Sequence, residues 1–140
     1  MSDRKGFTLI ELIAVVVIMA IIALLATPNI ISLLEKGKKE EFVADAKEFV
    51  SKATYMYKSE KFNSSGTSSY FYKNISEIKG VNTEDLNGPW GEEYTGGVTI
   101  STSNGTRSYR ITLSTRNKSK TYSFNNVDSK NIDLDHISQN

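Results

Sequence analysis

The stretch that decides this chain is Arg4-Lys5-Gly6-Phe7-Thr8-Leu9-Ile10-Glu11-Leu12, followed by an apolar run to Leu34. From Leu12 to Ala26 there is no polar side chain at all, and Glu11 is the only charge between Lys5 and Glu35. As a helix, Phe7 to Leu34 is about 42 Å long, enough to cross a hydrocarbon core of roughly 30 Å. A lone carboxylate in such a segment costs on the order of 3 kcal/mol on insertion scales, so Glu11 needs something that neutralises it.

Three readings compete for this segment. A cleaved secretory signal has an apolar region of about 7–15 residues and a small-x-small cleavage site. Here the run continues past Pro28, and Ala23-Leu24-Leu25-Ala26 spaces its alanines wrongly. An ordinary membrane anchor explains the length but neither Glu11 nor the Gly6-Phe7 junction. The third reading is that Lys5 to Leu12 resembles, residue by residue, the processing motif of type IV prepilins and the related pseudopilins. The resemblance covers residues 4–34 closely and the rest only in architecture.

The resemblance implies a set of roles. A leader, residues 1–6, is removed by prepilin peptidase between Gly6 and Phe7. Phe7 becomes the N-methylated terminus. Residues 7–34 form the transmembrane and filament-core helix, and residues 35–140 the globular head with the amphipathic second half of the helix. Glu11 serves assembly by meeting the positive Phe7 amine of a neighbouring subunit or of its own chain, and that pairing offsets the cost of the buried charge. Pro28 removes one backbone hydrogen bond, which implies a kink, and in the family a proline at this place allows local bending or melting in the filament. The implied partners are other copies of the chain, prepilin peptidase, the assembly platform with its ATPase, and the cytoplasmic membrane before assembly. The implied destination is an extracellular pilus on the cell surface, with the N-terminus inside before assembly. Lys36, Lys38 and Lys39 beyond the apolar run leave the charge rule for topology ambiguous.

The remaining 106 residues are polar with scattered aromatics. Phe42, Ala46, Phe49, Ala53 and Met56 recur at helical spacing, broadened by Val43, Val50 and Tyr57, so one helix is expected from about Thr8 to Ser59. Glu48 and Lys52 are placed to pair across one helical turn. Lys58 to Ser69 reads as a loop, and Tyr70 to Lys79 is open between a short helix and a strand. Asn87-Gly88-Pro89-Trp90-Gly91 reads as a turn whose tryptophan plugs the helix–sheet junction, and it resembles a Pro-Trp-Gly segment of pilin heads. Val98, Ile100 and Thr102 alternate before Asn104-Gly105, and Tyr109, Ile111 and Leu113 after it: a hairpin. Arg116 to Ser119 turns into a third strand at Tyr122 and Phe124. The fold class is therefore α+β and pilin-like, a long N-terminal helix whose second half packs on a small antiparallel sheet.

Function classes narrow accordingly. The net charge is +1, and a chain starting at Phe7 is neutral by side chains, so no global basic field points to nucleic acid. Arg107, Arg110, Arg116, Lys118 and Lys120 form at most a basic strand edge. There is no cysteine, so a C-terminal loop must be held by packing and hydrogen bonds, which leans towards Gram-positive pilins or secretion pseudopilins. Asp128, Asp133, Asp135 and His136 read as a solvated tail. No catalytic set, metal or cofactor is expected. The chain reads as a type IV pilus subunit. The alternatives are a pseudopilin of a type II secretion or competence apparatus, and a membrane-anchored surface binding domain.

Overall fold

The structure, a computed structural model, describes residues 6–62, 70–104 and 106–140. The leader residues 1–5, most of the polar loop expected before Tyr70, and Gly105 of the hairpin turn lie outside the described residues. Two compact units emerge, residues 1–37 and 38–140.

A single helix, α1 (Leu9–Phe62), belongs to both units. In the first unit it is apolar on every side, and its large side chains are exposed all round. That is the pattern of a helix meant for lipid or for other helices rather than water. The helix continues through Pro28. On either side of the proline, hydroxyls take up backbone carbonyls: Thr27 Oγ1 donates to Ala23 O at 2.6 Å and Ser32 Oγ to Asn29 O at 2.9 Å. Proline has no N–H for the carbonyl of Leu24, so one helical bond is missing here.

From Phe42 on, one face alone is buried: Phe42, Ala46, Phe49, Val50, Ala53, Met56 and Tyr57. The expected loop at Lys58 is corrected, because the helix runs on to Phe62. Lys58, Ser59, Glu60 and Lys61 are tolerable helix formers, so propensity carries the helix past its last core position. Lys52 sits between Glu48 (2.7 Å) and Asp85 (3.7 Å), the first being the expected pair.

The helix face packs on a five-stranded antiparallel sheet of order β1 (Tyr70–Asn74), β2 (Thr95–Ser103), β3 (Thr106–Asn117), β4 (Lys120–Asp128) and β5 (Ser138–Gln139). The segment at Tyr70 holds both alternatives, a strand and then a 3₁₀ turn at Ile75–Glu77. The hairpin forms as expected, with Val98 opposite Ile111, Ile100 opposite Tyr109 and Ser103 opposite Thr106. Asn104 takes φ 49°, the left-handed conformation that a two-residue turn requires. Between Ile111 and Leu113 the register to β4 shifts by one, so Asn125 and Asn126 together face Thr112. Asn126 (φ 52°) donates its N–H to Thr112 Oγ1, and its carbonyl accepts from Arg110 Nη1. Such a bulge adds a residue without moving Phe124 off the core face.

Rings knit the two layers together. Phe42 stacks on Phe124 with centroids 4.9 Å apart, Phe49 meets Tyr94 edge-on at 5.5 Å, and Tyr57 meets Phe71 at 5.3 Å. Trp90 bridges as expected, stacked on Tyr122 at 4.0 Å and edge-on to Phe42 at 6.0 Å. Its turn works because Gly88 lies against Thr115, where a Cβ would come within 2.5 Å of Thr115 Oγ1.

Two expectations need correction. The sequence suggests a basic edge, but β3 is the middle strand. Arg107 lies over the Tyr57 ring at 5.8 Å and Arg110 caps the bulge, so only Arg116, Lys118 and Lys120 gather at one turn. The C-terminal residues are also more than a solvated tail. Ile132 is buried, Ile137 packs against the core, and β5 pairs with Tyr122 and Ser123. Thr121 and Asn140 exchange backbone bonds at 2.7 and 3.1 Å. This is how a chain without cysteines holds its last segment.

Phe42 contacts three other rings, so Phe42→Ala should cost about 3–5 kcal/mol. Denaturant unfolding of the full chain in detergent, followed through Trp90 fluorescence, checks this. A loss under about 1 kcal/mol would mean the site collapses without a cavity.

Candidate functional site

The motif residues meet at the start of α1. Gly6, Phe7 and Thr8 are not helical, and Leu9 begins the helix. Thr8 and Glu11 hold this boundary in place. Glu11 Oε2 accepts the backbone N–H of Thr8 at 2.9 Å, and Thr8 Oγ1 accepts the backbone N–H of Glu11 at 3.4 Å. Leu12 N–H donates to Thr8 O at 3.2 Å, the first helical bond. This Thr-x-x-Glu arrangement is a capping box: each side chain satisfies a backbone donor that the helix end would leave unpaired. Its negative charge also sits at the positive end of the helix dipole.

The consequence for the neighbouring residues is direct. With the helix stopped at Leu9, the Gly6–Phe7 peptide bond stays outside it. Phe7 is 86% exposed, and a Cβ built on Gly6 would meet nothing within 4 Å. Gly6, Phe7, Thr8 and Glu11 line one open concavity. Three of the four sequence-predicted site residues thus share one place. Pro28 does not: seventeen residues along the helix, it lies roughly 25 Å from Glu11. The capping partner, Thr8, is a residue the site expectations did not include, and its signal is Thr-x-x-Glu before an apolar run.

A second cluster lies on the head. Glu41, Asp45, Glu48, Glu84, Asp85 and Asn87 line a cavity of about 190 Å³ together with Phe49. The Tyr94 hydroxyl donates to Asp45 Oδ2 at 2.5 Å. Burial pushes the Asp45 carboxyl up, opposed by the Tyr94 hydrogen bond and reinforced by Glu41, Glu48 and Asp85. Burial, then Asp45, push the Tyr94 phenol far up, so it stays a donor. At the other end, the His136 ring holds the Asp133 carboxyl below its usual range, with Nδ1 2.6 Å from Oδ1.

Asp45 prefers its proton in the folded state, so its contribution to stability is fullest below its unfolded pKa and is lost as pH rises through the raised folded value. Asp45→Asn keeps an oxygen acceptor for Tyr94 without the charge. It should therefore unfold at equal or higher temperature than the parent at pH 7, with the gap closing towards pH 4. A variant less stable than the parent at pH 7 would show that the ionised carboxylate is the better partner.

In comparisons with known proteins, residues 1–27 match the family model described as the prokaryotic N-terminal methylation motif. No curated protein and no solved structure matches the chain. The capped helix start, the exposed Gly6–Phe7 junction and most of the apolar run fall on the segment that this match identifies. Residues 1–27 thus match the prokaryotic N-terminal methylation motif, the prepilin signal of type IV pilins and pseudopilins, and the fold that follows them is α+β and pilin-like.

Proposed function

We propose that this chain is a structural subunit of a type IV pilus, cut after Gly6 by prepilin peptidase, methylated at Phe7 and assembled through α1. Its role is mechanical, not catalytic. The observation that carries the reading is the placement of Glu11 four residues from an exposed Gly6–Phe7 bond, at the head of a helix with no other charge before Glu35. Before cleavage the carboxylate is satisfied by the Thr8 N–H. Cleavage creates a cation at Phe7, one residue from that donor. Glu11 can then hold the amine of its own chain or of a neighbour. Either pairing neutralises the carboxylate where water is excluded, which makes burial of the apolar helices affordable.

Membrane anchorage precedes assembly in this reading. The apolar helix is long enough to cross a bilayer, and its exposed side chains need either lipid or other copies of themselves. Packing such helices together buries the surface that lipid covers beforehand. The assembly platform and its ATPase supply the work of extraction. A pseudopilin of a secretion or competence apparatus uses the same N-terminus, and the length of the assembled filament separates the two.

The direct test is N-terminal mass spectrometry of material sheared from cells. A chain starting at Phe7 with one added methyl group, in sedimentable filaments, is expected. The same terminus confined to the membrane fraction would favour the pseudopilin, and an intact Met1 beside active prepilin peptidase would overturn both.

Substitutions at Glu11 separate its two jobs. Glutamine completes a capping box but carries no charge, whereas alanine does neither. Glu11→Gln should keep helix N-terminal amide protection and processing yet lose filament incorporation. Glu11→Ala should lose incorporation and also weaken the first turn by about 1 kcal/mol. Normal filaments from the Gln variant would remove the charge pairing from the mechanism. Gly6→Val should leave the leader uncut, read as a heavier N-terminal peptide.

A further inference from the structure

Charge is unevenly divided over the head. Between Glu93 and Asp128 there is no acidic residue, yet Arg107, Arg110, Arg116, Lys118 and Lys120 fall there. Arg107 and Arg110 are engaged over a ring and at the bulge. The other three are exposed at the β3–β4 turn, closed by the Asn117–Lys120 pair, where Lys118 takes φ 33°. Three carboxylates of α1 lie elsewhere: Glu41, Asp45 and Glu48 face the acidic cavity with Glu84 and Asp85.

Position along the chain gives this turn its significance. Arg116 pairs with Thr121, next to Tyr122, and Lys39 Nζ lies over the Tyr122 ring at 5.8 Å. The turn therefore sits at the end of the sheet beside Lys39. Lys39 is five residues past Leu34, the last apolar residue of the membrane-length stretch. Five residues reach at most about 18 Å however they are arranged. While the chain is anchored, Lys38 and Lys39 are thus tethered within that reach of Leu34, and the β3–β4 turn, on the same unit as Lys39, is free to meet the bilayer surface.

We propose that Arg116, Lys118 and Lys120, with Lys38 and Lys39, form a docking surface for anionic phospholipid headgroups. The inference rests on the membrane anchorage proposed above. Charge complementarity favours this occupant: the turn is cationic, polar and without a nearby carboxylate side chain on its own strands. Each cation close to an anionic surface strengthens association about fivefold, so the three at the turn suffice to hold the head down. The contact is exposed and electrostatic, so it weakens with salt, and it can be given up when the subunit leaves the membrane. Glu40, on the same turn of α1, offsets part of the lysine charge, which leaves the β3–β4 turn as the main contact.

Trp90, the only tryptophan, reports on this end of the head because its ring stacks on Tyr122. The full chain is placed in nanodiscs of phosphatidylcholine alone or mixed with phosphatidylglycerol, both containing a headgroup-dansylated lipid. Energy transfer from Trp90 to dansyl is measured at low and high salt. Transfer should be greater in the anionic discs, and the excess should disappear at high salt. It should also disappear in Lys118→Asn/Lys120→Gln, for which association weakens on the order of 30-fold. Asparagine tolerates the left-handed conformation at position 118, so the turn is preserved. Lys58→Gln/Lys79→Gln, two cations at the other end of the head, should keep the excess. Equal transfer in both discs, or an excess that survives the turn substitutions, would overturn the proposal and leave the turn to water or to a second copy. Failure to enter either disc would instead remove the anchorage reading, and this inference with it.

Discussion

A helix that is apolar on every side cannot stand in water, and that constraint organises the molecule. Up to Leu34 nothing on α1 compensates for its exposed aliphatic surface except lipid or other copies of the same helix. From Phe42 on, the same helix keeps one apolar face and surrenders the other to solvent. The change of pattern is a change of intended surroundings. Apart from the one bond lost at Pro28, backbone hydrogen bonding is satisfied within the helix, so a single element can serve both environments.

The head follows from the width of the second stripe. A face of Phe42, Ala46, Phe49, Ala53 and Tyr57 needs a partner surface of similar size, and a small sheet supplies it through Phe71, Tyr122 and Phe124, with Tyr94 just before β2. Alanines at positions 46 and 53 let the helix approach closely, and the rings on either side fill the remaining space. Without disulfides, closure of the last segment falls to Ile132, Ile137 and the Thr121–Asn140 bonds. The outward face of the sheet is lined instead by hydroxyls that satisfy one another, such as Ser101 with Ser108 at 2.7 Å. That face is built for water.

Glu11 joins two kinds of argument. As a charge in an apolar segment it needs a counter-charge, and as residue N3 of a helix it is a cap. In the proposed function the two roles belong to different moments, before and after the Gly6–Phe7 bond is cut, and the same few atoms serve both because the cap places the carboxylate near Phe7.

By itself the sequence determined what depends on pattern and local chemistry. The 3.6-residue stripe on α1, the alternation around Asn104-Gly105, the Lys5 to Leu12 motif and the Glu48–Lys52 pair are all encoded by neighbours within a few positions. The candidate site was legible for the same reason, since Gly6, Phe7 and Glu11 lie within six consecutive residues. What tertiary structure alone decided involves partners far apart in the chain. The pairing of β5 with β4, the bulge at Asn126, the central position of β3 and the meeting of Asp45 with Tyr94 leave no periodic trace. Tyr94 and Asp45 are 49 residues apart, and only the folding of the sheet onto the helix brings them together. Arg107, Arg110 and Arg116 read as one basic edge in sequence, but the sheet order placed their strand in the middle, because which strands lie at the edge depends on all the pairings at once.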